Sequence, residues 1–255
     1  LGCGVVGLQI ARLLISNKAD LSSRAGANLE LVKIAVRDIK TKREGVSANL
    51  FTTDSNSVVS DPDIDLIIEV IGGIDPAKDL ILTAIKNGKS VVTANKALLA
   101  KHGAALYAAA DKANVDLYYE AAVAGAIPIL RPLRESLVGD HVLRVMGIVN
   151  GTTNYILTKM DENGTAFAGA LNQAQDLGFA ESDPTADVEG IDAAAKAAIL
   201  ASLAFHSRVT DADVYREGIS KITSADVKVA KAIDMVIKLL AIAELTADGS
   251  ISVRV

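Results

Sequence analysis

Three features predict an α/β chain in which a doubly wound parallel sheet is followed by an α+β domain. A Gly-x-Gly-x-x-Gly spacing, Gly2, Gly4 and Gly7, stands before an apolar helix pattern. Short β-branched runs then alternate with helix patterns, as a parallel sheet requires. The character changes near Ala126-Ile127-Pro128, which divides the chain into a Rossmann-type domain over 1–127 and a second domain over 128–255.

The elements follow in order. Val6 to Ser16 is apolar and helical, and Leu29 to Val36 is a strand closing at Arg37-Asp38. Asp65 to Ile71 suits a strand covered on both faces. The next helix starts with Asp75 as N-cap and Pro76 at its first position, and Gly88 ends it. Ser90 to Thr93 is a strand, His102 to Ala113 an Ala-rich helix, and Val115 to Glu120 a strand. In the second domain a helix over 128–137 precedes a strand over 142–149 and a loop at Asn150-Gly151-Thr152-Thr153. Helices over 154–161 and 165–176 follow, the second capped by Gly178. A polar acidic loop, Glu181 to Glu189, leads to a long helix over 192–205. Ala247-Asp248-Gly249 reads as a hairpin turn, with a strand from Ser250. Only Leu1 precedes the glycine motif, which requires a strand before it, and the last strand is unfinished at Val255. The sequence therefore reads as a fragment truncated at both ends.

Composition narrows the function. Of 255 residues half are hydrophobic, enough for one or two domains with real cores. The net charge is −5 and the densest basic run is Lys40, Lys42 and Arg43, which argues against nucleic acid. No apolar stretch suits a bilayer. The single cysteine excludes an internal disulfide framework and a Cys-based zinc site. A cytoplasmic protein is the default expectation.

Each glycine of the loop has a physical task. Gly2 permits a tight turn, Gly4 lets backbone approach a pyrophosphate, and Gly7 lets the helix pack on the sheet. The helix N-terminus offers unpaired N–H groups to phosphate. At the end of the second strand an acidic residue would select NAD and an arginine NADP. Arg37 comes first and Asp38 follows, so the reading leans to NADP with NAD open. Cys3 reads as a small packed residue rather than a redox thiol.

Asp192 and Lys196 are i, i+4 on an Ala-rich helix, with Cβ atoms roughly 6 Å apart. Two outcomes stay open on these residues: a surface ion pair, or a paired and functional couple. Glu181, Asp183, Asp187 and Glu189 lie just upstream, and carboxylates are what a substrate with an α-ammonium needs.

Three segments resemble homoserine dehydrogenase. They are Ile68-Glu69-Val70-Ile71-Gly72-Gly73 with Val91-Val92-Thr93-Ala94-Asn95-Lys96; Glu120 to Pro128; and Gly151-Thr152-Thr153-Asn154-Tyr155 with Leu177 to Pro184 and Asp187 to Lys196. The resemblance implies NAD(P)-dependent reduction of L-aspartate 4-semialdehyde to L-homoserine, in threonine, methionine and isoleucine biosynthesis. It implies that Lys196 is catalytic with Asp192, and that Glu181, Asp187, Asp192, Thr152, Gly178 and Lys96 meet the substrate. It places the cofactor on Gly2, Gly4, Val5, Val6, Gly7, Arg37, Gly72, Thr93, Lys96, Gly178 and Glu181. It also implies a monovalent-cation site, Na⁺ or K⁺, at the Glu120 carboxylate and the carbonyls of Val123, Gly125 and Ile127. A homodimer or higher homo-oligomer is implied as well. Ala126 departs from the pattern, standing where many members carry a second glycine, and His102, His141 and His206 match no role.

Two rival readings remain. One is another Rossmann-fold amino-acid or semialdehyde oxidoreductase; a thiohemiacetal mechanism would need a catalytic cysteine, and Cys3 lies in the phosphate loop instead. The other is a non-catalytic nucleotide-sensing module, which leaves the Asp192/Lys196 pair unexplained.

Overall fold

β-branched and aliphatic runs form the strands of the first half, and every pairing there is parallel. The computed structural model describes residues 1–255, which divide into two units, Leu1–Ala122 and Val123–Val255. In the first, β1 (Ile34–Ala35) pairs β2 (Phe51–Thr52), and β3 (Leu66–Glu69), β4 (Ser90–Thr93) and β5 (Leu117–Tyr118) follow in order. Leu1 and Gly2 join these two sets. Gly2 N donates to Ala35 O at 2.9 Å, and Val70 N donates to Leu1 O at 2.9 Å. The strand order thus reverses at the glycine loop, and in parallel sheets such a switch point is where ligands settle.

The helices are α1 (Val5–Ser16), α2 (Lys18–Ala25), α3 (Ser55–Ser60), α4 (Ala77–Lys86) and α5 (Lys96–Ala113). Ile81, Ala84, Leu98, Leu106, Val59 and Val91 are fully buried at the centre of the unit. Several expected bounds need correction. The strand over 29–36 reduces to Ile34–Ala35, because residues 29–33 have no paired neighbour and line a groove of about 560 Å³ facing 63–68. α2 buries no residue, so it carries no apolar stripe for a sequence pattern to show. Pro76 rather than Asp75 occupies the cap of α4. α5 starts at Lys96, not His102, because Asn95 Oδ1 accepts from Leu98 N and caps it. The strand expected to reach Glu120 ends at Tyr118, and Glu120–Ala122 is a 3₁₀ turn.

In the second unit β6 (Arg144–Gly147), β7 (Ala241–Leu245) and β8 (Ile251–Arg254) form an antiparallel sheet. The expected hairpin turn joins the last two, with Gly249 at φ +82°. α6 (Gly151–Asn163), α7 (Phe167–Asp176), α8 (Thr185–Val188), α9 (Ile191–Ala204) and α10 (Ser224–Ala232) complete it. α9 lies on the sheet through Ala194, Ala197, Ala198 and Ala201 against Ala241, Ala243 and Val253. A second core gathers Ile156, Leu157, Met160, Ala170 and Ala174. The expected helix over 128–137 is a π turn at Pro132–Ser136, where Leu137 N donates to Pro132 O, five residues back. The expected loop at 150–153 is the cap and first turn of α6. Part of the 181–189 loop is helical, as α8.

The glycine loop is built on close contact. A Cβ on Gly7 would lie 2.5 Å from Gly2 O, and one on Gly2, at φ +88°, 2.8 Å from Val70 O. A Cβ on Gly4 meets nothing within 4 Å. Gly7→Ala should therefore lower unfolding stability by about 1–3 kcal/mol, while Gly4→Ala stays within about 0.5 kcal/mol of the parent, as measured by urea denaturation.

Candidate active site

The site of the second unit starts from one residue at a strand end. Asn150 follows β6 and caps α6: its Oδ1 accepts from Thr153 N and from Thr153 Oγ1, both at 2.9 Å. The cap fixes its amide group. Nδ2 then donates to Asp187 Oδ1 at 2.7 Å and to Asp192 Oδ2 at 3.0 Å. The same Asp192 oxygen receives Lys196 Nζ at 2.8 Å. Lys196 also donates to Val149 O at 2.7 Å. Two adjacent residues, Val149 and Asn150, thus hold a lysine and two carboxylates drawn from α8 and α9.

Burial removes the surface outcome for the i, i+4 pair. Asp192 is 6% exposed and the Lys196 side chain 15%, so this is no surface ion pair. Asp192 lies in the first turn of α9, where the helix dipole favours its charge. Lys196 has three protons and two protein acceptors, which leaves one donor for a ligand.

Both charges line a cavity of about 730 Å³ that Asn150, Thr152, Gly178 and Asp187 also border. Tyr155 and Phe179 form its apolar wall, ring centroids 5.0 Å apart. Thr152 Oγ1 donates to Phe179 O at 2.7 Å, which ties the start of α6 to the turn at Gly178. Gly178 has φ +75°, and a Cβ there would meet no protein atom within 4 Å. Carboxylates, an ammonium and an apolar wall together suit a small zwitterion with a reacting oxygen.

The structure does not bring every expected residue to this cavity. Glu181 is exposed and lies off its lining; its carbonyl accepts from Gln175 Nε2 at 3.0 Å. Asp183 is exposed too, and its hydrogen bonds from Thr185 hold its carboxyl below the usual range. Asn150, Tyr155 and Phe179 were given no role from sequence. Asn150 did carry a signal, an Asn three residues before Thr153 at a helix start.

In the first unit the expected nucleotide-binding residues gather at the carboxyl ends of the parallel strands. Gly4 caps α1, and Val5 and Val6 are exposed, so the first N–H groups of α1 face solvent. Glu69 is fully buried; its Oε1 accepts from Ile71 N at 2.7 Å and its Oε2 from Thr93 Oγ1 at 2.6 Å. Glu69 also accepts from Gly72 N at 3.2 Å, and Asn95 Nδ2 donates to Gly73 O at 2.6 Å. Thr93 therefore shapes the Gly72 loop from beneath, and Lys96 opens α5 beside it. Arg37 is exposed. Asp38 is occupied locally: Thr41 Oγ1 and Lys40 N each donate to it at 2.8 Å and hold its carboxyl below the usual range.

Glu120 lies in the 3₁₀ turn that ends the first unit, while Val123, Gly125 and Ile127 open the second. Ala126 has φ +61°, a left-handed backbone that glycine adopts more readily, which gives a physical reason for a glycine at this position. No group of three or more His, Cys, Asp or Glu side chains gathers as a metal site.

The chain matches a family model described as the homoserine dehydrogenase NAD binding domain over residues 2–120, and one described as homoserine dehydrogenase over 128–255. It is 57% identical to a homoserine dehydrogenase of Corynebacterium glutamicum over 96% of this chain and 55% of that protein. A crystal structure of a homoserine dehydrogenase from Thiobacillus denitrificans superposes with TM-score 0.94 at 45% identity, over 99% of this chain and 58% of that one. A hyperthermophilic archaeal homoserine dehydrogenase in complex with NADPH superposes with TM-score 0.80 at 26% identity, over 99% and 78% of the two chains. The chain thus spans a little over half the length of its curated relatives.

If Asn150 organises the cluster, Asn150→Ala loses a helix cap and two charge-assisted hydrogen bonds together. The expected loss of stability is at least about 2 kcal/mol by urea denaturation. A loss under about 0.5 kcal/mol would contradict that role.

Proposed function

The chain belongs to the homoserine dehydrogenase family, and we propose that the full protein interconverts L-aspartate 4-semialdehyde and L-homoserine with a nicotinamide cofactor, NADP in preference to NAD. The observation that carries this reading is the buried Lys196–Asp192–Asn150–Asp187 cluster bordering a cavity of small-metabolite size.

The first unit fits a dinucleotide. Its glycine loop leaves open space over Gly4 and exposes the start of α1, which suits a pyrophosphate. Arg37, exposed while the Asp38 carboxylate is engaged in its own loop, supports NADP. When bound, the reduced cofactor supplies the hydride.

The chain's own residues do the rest. Asp187, on the cavity lining, holds the substrate ammonium. Lys196 points a donor at the reacting oxygen and gives it a proton as alkoxide character develops; Asp192 and Val149 O fix the ammonium for that transfer. In the oxidative direction Lys196 takes the proton from the alcohol. Thr152 and Gly178 shape the floor of the cavity. We assign residues 1–127 to the cofactor and 128–255 to the substrate, and a monovalent cation, Na⁺ or K⁺, to the carbonyl oxygens of Val123, Gly125 and Ile127. Assembly as a homodimer or higher homo-oligomer accords with Met146 on β6 and Ile148 just past its end, both exposed. No helix is long and apolar enough to cross a membrane, and a cytoplasmic location is proposed.

Lys196→Ala should lower kcat roughly 10²–10⁴-fold with a smaller effect on KM. An unchanged kcat in Lys196→Ala, with chemistry limiting, would remove Lys196 from acid–base catalysis.

A further inference from the structure

Arg43 is the one cation that bonds the glycine loop directly. Its Nε donates to Cys3 O at 3.0 Å, inside the Gly2–Gly7 turn. Its Nη1 donates to Asp38 O at 3.1 Å and to Thr41 O at 3.0 Å. Its guanidinium lies over the Phe51 ring, 5.2 Å from the centroid. Arg12 Nε donates to Glu44 O at 2.9 Å and pins the segment that carries Arg43 to α1.

Two properties of this arrangement point to a ligand. All three acceptors of Arg43 are neutral carbonyl oxygens, so no carboxylate is hydrogen-bonded to its guanidinium. Nε and both Nη1 protons are used, while Nη2 has no protein acceptor; the planar fork keeps one edge for an anion. The place of that edge matters. Cys3 belongs to the loop that would meet the pyrophosphate, and Asp38 closes the second-strand segment, where the adenosine ribose is read. The Asp38 carboxylate is held within its own loop by Lys40 N and Thr41 Oγ1.

We propose that Arg43 is a specificity-determining residue that receives the 2′-phosphate of NADP(H) on its Nη2 edge, beside Arg37. The proposal rests on the nicotinamide-cofactor reading above and deepens it. It makes Arg43 both the brace of the glycine loop and the detector of the phosphate.

The test is direct binding, without turnover. NADPH and NADH are titrated against the full-length protein by nicotinamide fluorescence, in the parent and in Arg43→Gln. The expected result is NADPH bound about 10- to 100-fold more weakly by the variant, the loss of one charge-assisted contact, with NADH changed by less than about 3-fold. Equal weakening of both nucleotides would make Arg43 a brace only and overturn the proposal; so would unchanged binding of NADPH. Should Arg43→Gln fail to fold, a crystal of the parent protein with 2′,5′-ADP decides. A phosphate on Nη2 supports the proposal, and a phosphate on Arg37 alone overturns it. A folded parent that binds neither nucleotide would overturn the cofactor reading itself, and the proposal with it; that outcome is read before any variant is made.

Discussion

Much of the candidate site depends on the amide group of Asn150. A carboxamide has one acceptor and two donors, and all three functions are in use here. The acceptor caps α6 through Thr153, and the donors hold Asp187 and Asp192. Two carboxylates so close would repel each other without a donor between them. The carbonyl of the preceding residue then holds Lys196, so a single strand end sets the positions of an ammonium group and of the acidic groups around it. The cap fixes the amide, the amide fixes the carboxylates, and Asp192 with Val149 O fixes the ammonium. Such a chain of buried polar contacts is costly unless complete, and this one is closely satisfied.

The rest of the second unit keeps that strand end rigid. α9 packs on the sheet through alanines, which lets its backbone come close and leaves Asp192 and Lys196 as the charged groups of its buried turns. The first unit solves a related problem with backbone instead of side chains. Gly2 and Gly7 pack without room for a methyl group, whereas Gly4 is open. The loop is thus tight where it meets protein and free where a phosphate would approach.

Elements with local causes were legible in the sequence. The glycine motif, β3, β4 and α9 each carry their own pattern, and the i, i+4 spacing of Asp192 and Lys196 placed both on one helix face. What was not legible came from pairing across distance. Asn150 meets Asp187 and Asp192 across 37 and 42 residues of sequence, so its motif showed a cap but not a hub. The strand expected over 29–36 shrank because a strand needs a paired neighbour as well as β-branched residues. The π turn at Pro132 and the early start of α5 at Asn95 are backbone hydrogen-bond effects that apolar periodicity does not report. Glu181 belongs to the family pattern, yet in this structure its side chain is exposed, while Asp187 and Asp192 border the cavity.

The central claim is that this cluster handles the hydroxyl and ammonium of homoserine. Its most direct test is to follow nicotinamide absorbance while the full-length protein is supplied with L-homoserine and NADP⁺, then with NAD⁺, in the presence of K⁺ or Na⁺. The account predicts steady reduction of the nucleotide, faster with NADP⁺, that requires L-homoserine. A folded protein that binds NADPH yet leaves L-homoserine unoxidised would contradict it.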